Sequence, residues 1–152
     1  MLADTVGRPM EILLVEDNLL QARLAVAAIE RSLFKQRVTF IRDGQESLDY
    51  VFQRGVFRQA PRPDLILLDL RLPHLDGLDV LAEIKGDESV RVIPVVIMTA
   101  SDDELDRLAC EHHNVEAFLT KPLDVEKFLG LLRQLRHFWQ EDMILPHGIV
   151  RA

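Results

Sequence analysis

Cysteine, aromatic residues and positive charge are all scarce in this chain, and each shortage excludes something. The 152 residues hold one cysteine, one tryptophan and one tyrosine. A single thiol, Cys110, rules out an intrachain disulfide and fits a reducing compartment; no activating partner marks it as a nucleophile, so it reads as a small, semi-buried helix residue. No apolar run approaches the roughly 20 residues of a membrane-spanning helix, and the opening MLADTVGRPM has no apolar signal core. The expectation is a cytoplasmic protein with no membrane partner. Lys and Arg number 18 against 25 Asp and Glu, a net charge of −7 without any basic block. That balance argues against nucleic acid as a partner. No glycine-rich loop follows the first apolar run, so phosphate-cradling nucleotide folds are excluded as well.

What the sequence does have is an alternation of apolar runs with helical patterns. Its 48% hydrophobic and 28% charged composition is that of an ordinary globular domain. The length suits one such domain better than two. Strands are expected at 11–15, 37–41, 64–68, 92–98 and 115–119, the second more alternating and therefore an outer strand. Leu19, Ala22, Val26, Ile29 and Leu33 repeat at helical spacing, as do Leu48, Val51 and Phe52, then Leu78, Leu81, Ala82 and Ile84 before Gly86. Val125, Phe128, Leu132, Leu135 and Trp139 trace the last stripe. Asp43 to Glu46 and Ser101 to Glu104 fit helix-start capping, which also explains the acidic 102–104 without a metal. Five strands alternating with five helices predict an α/β fold, a five-stranded parallel sheet doubly wound with helices on both faces.

One acid stands out against that pattern. The most apolar run, DLILLDLRLP at 64–73, ends on Asp69, although a lone buried carboxylate costs several kcal/mol. Open parallel sheets keep their chemistry at the carboxyl ends of strands, where Asp69 sits. Other strand ends are polar too: Glu16-Asp17, Thr99-Ala100 and Lys121-Pro122. If strands one, three, four and five are neighbours, Glu16, Asp17, Asp69, Thr99 and Lys121 meet on one rim. Like charges ~4 Å apart cost ~4 kcal/mol at an effective dielectric of ~20. Such acids need a proton or a cation, and a hard divalent ion, Mg²⁺ by default, suits oxygen donors. An Asp flanked by Mg²⁺, a Lys and a hydroxyl donor can accept a phosphoryl group.

VEDN, LLDLRLPHLDG, MTA and TKP, in that order on alternating elements, resemble a response-regulator receiver domain over roughly residues 10–140. Thr99 follows Asp69 by 30 residues and Lys121 follows Thr99 by 22, ordinary spacings for that family. The resemblance implies a flavodoxin-like receiver fold at 10–140, an extension at 1–9 and a tail at 141–152 that could serve dimerisation. It implies Asp69 as phosphoacceptor and Asp17 as a Mg²⁺ ligand together with the backbone carbonyl of Arg71. Glu16 would act on the ion through water. Lys121 and Thr99 would contact the phosphoryl group, as would the backbone N–H of Ala100. Phe118 stands where the family keeps a switching aromatic, although a plain core ring fits it equally well. Lys121-Pro122 resembles the family's cis peptide.

The implied role is a signalling switch rather than an enzyme, promoting only its own phosphotransfer and slow dephosphorylation. A sensor histidine kinase is the expected donor, possible as one step of a phosphorelay. No DNA-binding or catalytic output domain is expected after the last helix, so the signal passes by contact with an unknown downstream protein. FWQEDMILP at 138–146, with the long stretch at 53–64, resembles the phytochrome-associated single-domain regulators. That finer resemblance implies a phytochrome-type kinase and a homodimer built partly from Phe138, Trp139, Leu145 and Pro146. The competing reading of Trp139 is that it folds back on its own domain. Arg71 departs from the family, either bridging to Glu16 or the phosphoryl group, or simply solvated. Leu19-Leu20-Gln21 is unusually apolar for the mouth of such a site and suggests a partner surface. His74 is discounted as a relay, and so is the His112-His113 pair, adjacent on an expected helix and poor chelators. A haloacid-dehalogenase-type phosphatase would need an Asp where Arg71 stands, so it fails there. A degenerate receiver that only binds partners is disfavoured by intact Asp17, Asp69, Thr99 and Lys121.

Overall fold

In the computed structural model, residues 8–32, 34–99 and 104–135 are described, with 104–106 as backbone alone. Five parallel strands, β1 (Met10–Val15), β2 (Gln36–Ile41), β3 (Leu65–Asp69), β4 (Val95–Thr99) and β5 (Ala117–Thr120), form one sheet in the order β2-β1-β3-β4-β5. Helices α1 (Leu19–Glu30), α2 (Gly44–Val51), α3 (Gly77–Lys85), α4 (Glu104–Glu111) and α5 (Val125–Gln134) alternate with them. The expected doubly wound α/β fold is the one observed.

The period of two along each strand divides the core. Ile12, Leu14, Leu65, Leu67, Val96 and Met98 face α1 and α5, packing with Ala25, Ile29, Phe128 and Leu132. Leu13, Val15, Ile66, Leu68, Val95 and Ile97 face the other way, against Leu48, Val80, Leu81, Ile84 and Cys110. β3 is buried along its whole length because both faces are covered, which is why its sequence is a continuous apolar run. β2 is the outer strand expected from its alternation.

Two expectations need correction. The buried face of α1 is Ala22, Ala25, Ala28 and Ile29, whereas Leu19 is 45% exposed. Alanines make up most of the face turned to the core, and Leu19, Leu20 and Leu24 are turned outward. β4 begins at Val95 rather than residue 92, because Pro94 offers no N–H to the ladder and Val92 lies exposed in the preceding turn. Leu33 and Trp139, assigned above to helical stripes, and the cap at Ser101 lie outside the described residues.

The amino-terminal edge of the sheet is tied by a polar cluster. Lys85 Nζ donates to the carbonyls of Arg91 and Ile93 and pairs with Glu116, which also accepts from the backbone N–H of Val95 at 2.6 Å. The carboxyl-terminal rim is left for chemistry.

Candidate functional site

The strand order makes β1, β3, β4 and β5 contiguous, so the acids expected to converge do. Glu16, Asp17, Asn18, Gln21, Asp69, Arg71, Thr99 and Lys121 line one cleft of about 360 Å³ at that rim. Glu16 and Asp17 follow β1 directly, and their loop is closed by Asn18, whose side chain caps α1 by accepting from Gln21 N–H at 3.0 Å. Asn18 N–H in turn donates to Glu16 at 2.9 Å. Lys121 is brought up by its backbone N–H, which donates to the Thr99 carbonyl at 2.8 Å. The Lys121–Pro122 peptide is cis, as expected.

The loop after β3 is shaped by two glycines. A Cβ on Gly77 would lie 2.3 Å from the Asp69 carbonyl oxygen, and one on Gly44 would lie 2.2 Å from that of Leu75. Only a residue without a side chain lets α3 start directly beneath Asp69. Asp76 caps that helix by accepting from Gly77 N–H, and Arg71 N–H donates to Asp69 Oδ1 at 3.2 Å.

Charge in the cleft is balanced around Lys121. Its ammonium lies 3.2 Å from Asp69 Oδ2 and pairs still more closely with Glu16. Glu16 is 2% exposed and Asp69 6%. Burial pushes the Glu16 carboxyl up from its ordinary value, against the opposing pull of Lys121. No buried side-chain nitrogen or oxygen among the described residues lacks a partner. The pairing of Lys121 with Glu16 was not anticipated from sequence. Nor was Asn18 as lining, though it follows the acids at a helix-start position that could have signalled it; Gln21, expected at the mouth of the site, does line it.

Among the described residues no three His, Cys, Asp or Glu side chains form a ready-made metal cage. Lys121 engages both Glu16 and Asp69, and Asp17 and Asp69 line the same cleft as oxygen donors that a cation would find there. That donor set fits a hard cation that keeps part of its water shell, and it fits a ligand requiring an all-protein cage poorly.

Other expected residues are placed as follows. Arg71 is exposed at the cleft. Phe118 is half-buried on β5, with the Arg107 guanidinium 4.9 Å from its ring centroid. His74 is exposed and pairs with Asp43 at 3.2 Å. His112 and His113 follow the last residue of α4 in a turn rather than lying on the helix. Ala100, Phe138, Trp139, Leu145 and Pro146 lie outside the described residues.

A sequence profile described as the response regulator receiver domain matches residues 12–133. The chain belongs to the response regulator receiver family. Response regulator Rcp1 of Synechocystis is 37% identical over 145 residues, covering 95% of this chain and 99% of that protein. The structure of its Mn²⁺-bound form superposes with a TM-score of 0.73 at 38% identity, over 91% of this chain and 99% of the other. The bacteriophytochrome response regulator AtBRR gives 0.78 at 38% identity, over 88% and 96% of the two chains. A probable methanogenesis regulatory protein, FilR2 of Methanothrix harundinacea, is 43% identical over 134 residues, 86% of this chain and 84% of that one. This receiver domain is thus homologous to phytochrome-associated response regulators. Among its described residues no helix is long and apolar enough to cross a membrane.

Proposed function

We propose that this receiver domain is a phosphorylation switch whose acceptor is Asp69. The observation that carries the reading is the placement of Lys121 Nζ 3.2 Å from Asp69 Oδ2 in an open cleft that also holds Glu16, Asp17 and Thr99. An Asp69 oxygen attacks the phosphorus of a phosphohistidine, and the donor nitrogen departs with the electrons of the N–P bond. Lys121 meets the charge on the transferred group, and Thr99 and the Ala100 N–H supply hydrogen bonds to it. Asp17, Asp69 and the Arg71 carbonyl would hold a divalent cation, with Glu16 acting through water. The few direct donors and the room for water favour Mg²⁺. When bound, the cation neutralises phosphoryl oxygens.

The donor is a sensor histidine kinase, and homology with Rcp1 and AtBRR supports a phytochrome-type one. Leu19, Leu20 and Leu24, exposed by 45%, 64% and 42% on α1 beside the cleft, supply an apolar contact for it. Phosphorylation draws Thr99 toward the phosphoryl group and repositions Phe118, changing the α4–β5–α5 face read by a downstream protein. The domain turns over no separate substrate. The homodimer reading rests on the sequence of Phe138, Trp139, Leu145 and Pro146, and size-exclusion chromatography of the full chain tests it.

Incubation with Mg²⁺ and acetyl phosphate, read by intact mass, tests the central reading. One phosphoryl group is expected on the parent and none on Asp69→Asn. A folded parent that gains no mass would refute it.

A further inference from the structure

β2 is an edge strand whose carboxyl end contributes no side chain to the cleft, yet the loop after it touches both acidic loops. Arg42 Nε and Nη2 each donate to the Asp17 carbonyl at 3.2 Å. Asp43 caps α2 through one carboxylate oxygen and pairs with His74 through the other. Gly44 lets the Leu75 carbonyl approach to a distance that any Cβ would forbid. Residues 42–44 therefore bracket the loop of Asp17 on one side and the loop following Asp69 on the other.

Asp17 itself is exposed, so core packing does not set the direction of its side chain. Its peptide plane is set instead by the loop backbone, and a planar two-donor fork on one carbonyl holds that plane in a way a single flexible donor does not. We propose that Arg42 is a positioning residue for the cation site, acting through the Asp17 backbone to aim the Asp17 carboxylate. The inference rests on the reading of Asp17 and Asp69 as cation ligands.

Its sign separates it from simple electrostatics. Arg42 is a cation beside a cation site, so by charge alone Arg42→Ala should tighten metal binding. Positioning predicts the reverse. Outer partners that orient ligands typically account for 10–100-fold in metal affinity, and the exposed setting here places the expected weakening near the lower end, about tenfold.

Isothermal titration of the parent with Mn²⁺ and Mg²⁺, alongside Arg42→Ala and Arg42→Gln, tests this. Gln places a neutral donor near the position of Nε and should recover part of the affinity lost in Arg42→Ala. Unfolding midpoints in chelator should match among the three, which keeps a general structural defect from imitating the effect. The inference is overturned if Arg42→Ala binds as tightly as the parent or tighter, or if Arg42→Gln is no better than Arg42→Ala. Failure of the parent to bind either ion would overturn the underlying site reading as well; normal binding by both variants would overturn the role of Arg42 alone.

Discussion

Lys121→Met asks what the buried ammonium contributes before any phosphorylation occurs. Lys121 is 8% exposed and shares its charge between Glu16, 2% exposed, and Asp69. At 3.2 Å its attraction to Asp69 is ~5 kcal/mol for an effective dielectric of ~20. Removing the ammonium also relieves its own desolvation, so the net cost is the smaller ~3–5 kcal/mol of breaking a buried pair. Protonation sets a ceiling on that cost. Glu16 can be neutralised from its ordinary value of 4.5, which at pH 7 spans two and a half pH units at ~1.4 kcal/mol each, or ~3.5 kcal/mol.

The sign follows from linkage. Without Lys121, the Glu16 carboxyl rises further, and the folded state binds a proton that the unfolded state has released. Stability is then lost as pH rises from 4.5 through the raised folded value. Urea unfolding of parent and variant in chelator, between pH 5 and 7.5, should show a deficit near neutrality that shrinks on acidification, by at most ~1.4 kcal/mol per pH unit where Glu16 is protonated in the variant and ionised in the parent. A deficit independent of pH, or none at all, would refute the charge balance described for the cleft.

Three further outcomes are expected. Gly77→Ala forces a Cβ against the Asp69 carbonyl and Leu70 Cα, and should cost about 2–3 kcal/mol in unfolding while reducing labelling by acetyl phosphate; an unchanged melting point would show that the loop yields freely. Leu20→Glu, at a 64% exposed site, should slow transfer from a phosphorylated kinase about tenfold, ~1.4 kcal/mol, with acetyl phosphate labelling unchanged; equal losses with both donors would place Leu20 in the site itself. Burial pushes the Glu16 carboxyl up and a bound cation favours its charged form, so cation binding should weaken as pH falls into the range where Glu16 takes up a proton. Calorimetry of Glu16→Gln should give a shallower pH profile, and parallel profiles would count against Glu16 as the linked group.

Much of the architecture was legible from short-range pattern alone. β3 could be read from Leu65–Leu68 because a strand covered on both faces must be apolar throughout. Asp69 drew attention because its charge interrupts that run at the rim where parallel sheets keep their ligands. The order of elements was equally local, since each amphipathic stripe reports its own period. The same logic misled at α1, where Leu19 has the right spacing for a core stripe but alanines make up most of the face turned to the core. It misled again at residues 92–94, where a proline outweighs the apolar composition.

Pairings between distant segments belong to the tertiary structure. Nothing in the spacing of Lys121 distinguishes Asp69 from Glu16 as its partner; the β1-β3-β4-β5 adjacency places its ammonium between both. Arg42 reads as an ordinary loop arginine until the outer strand carries it over the Asp17 carbonyl. The alternation of the sequence determines which elements form and which faces they bury, because those preferences act over a few residues. The register of the sheet decides which charges meet, because electrostatic partners are chosen by distance in space and the chain does not record that distance along its length.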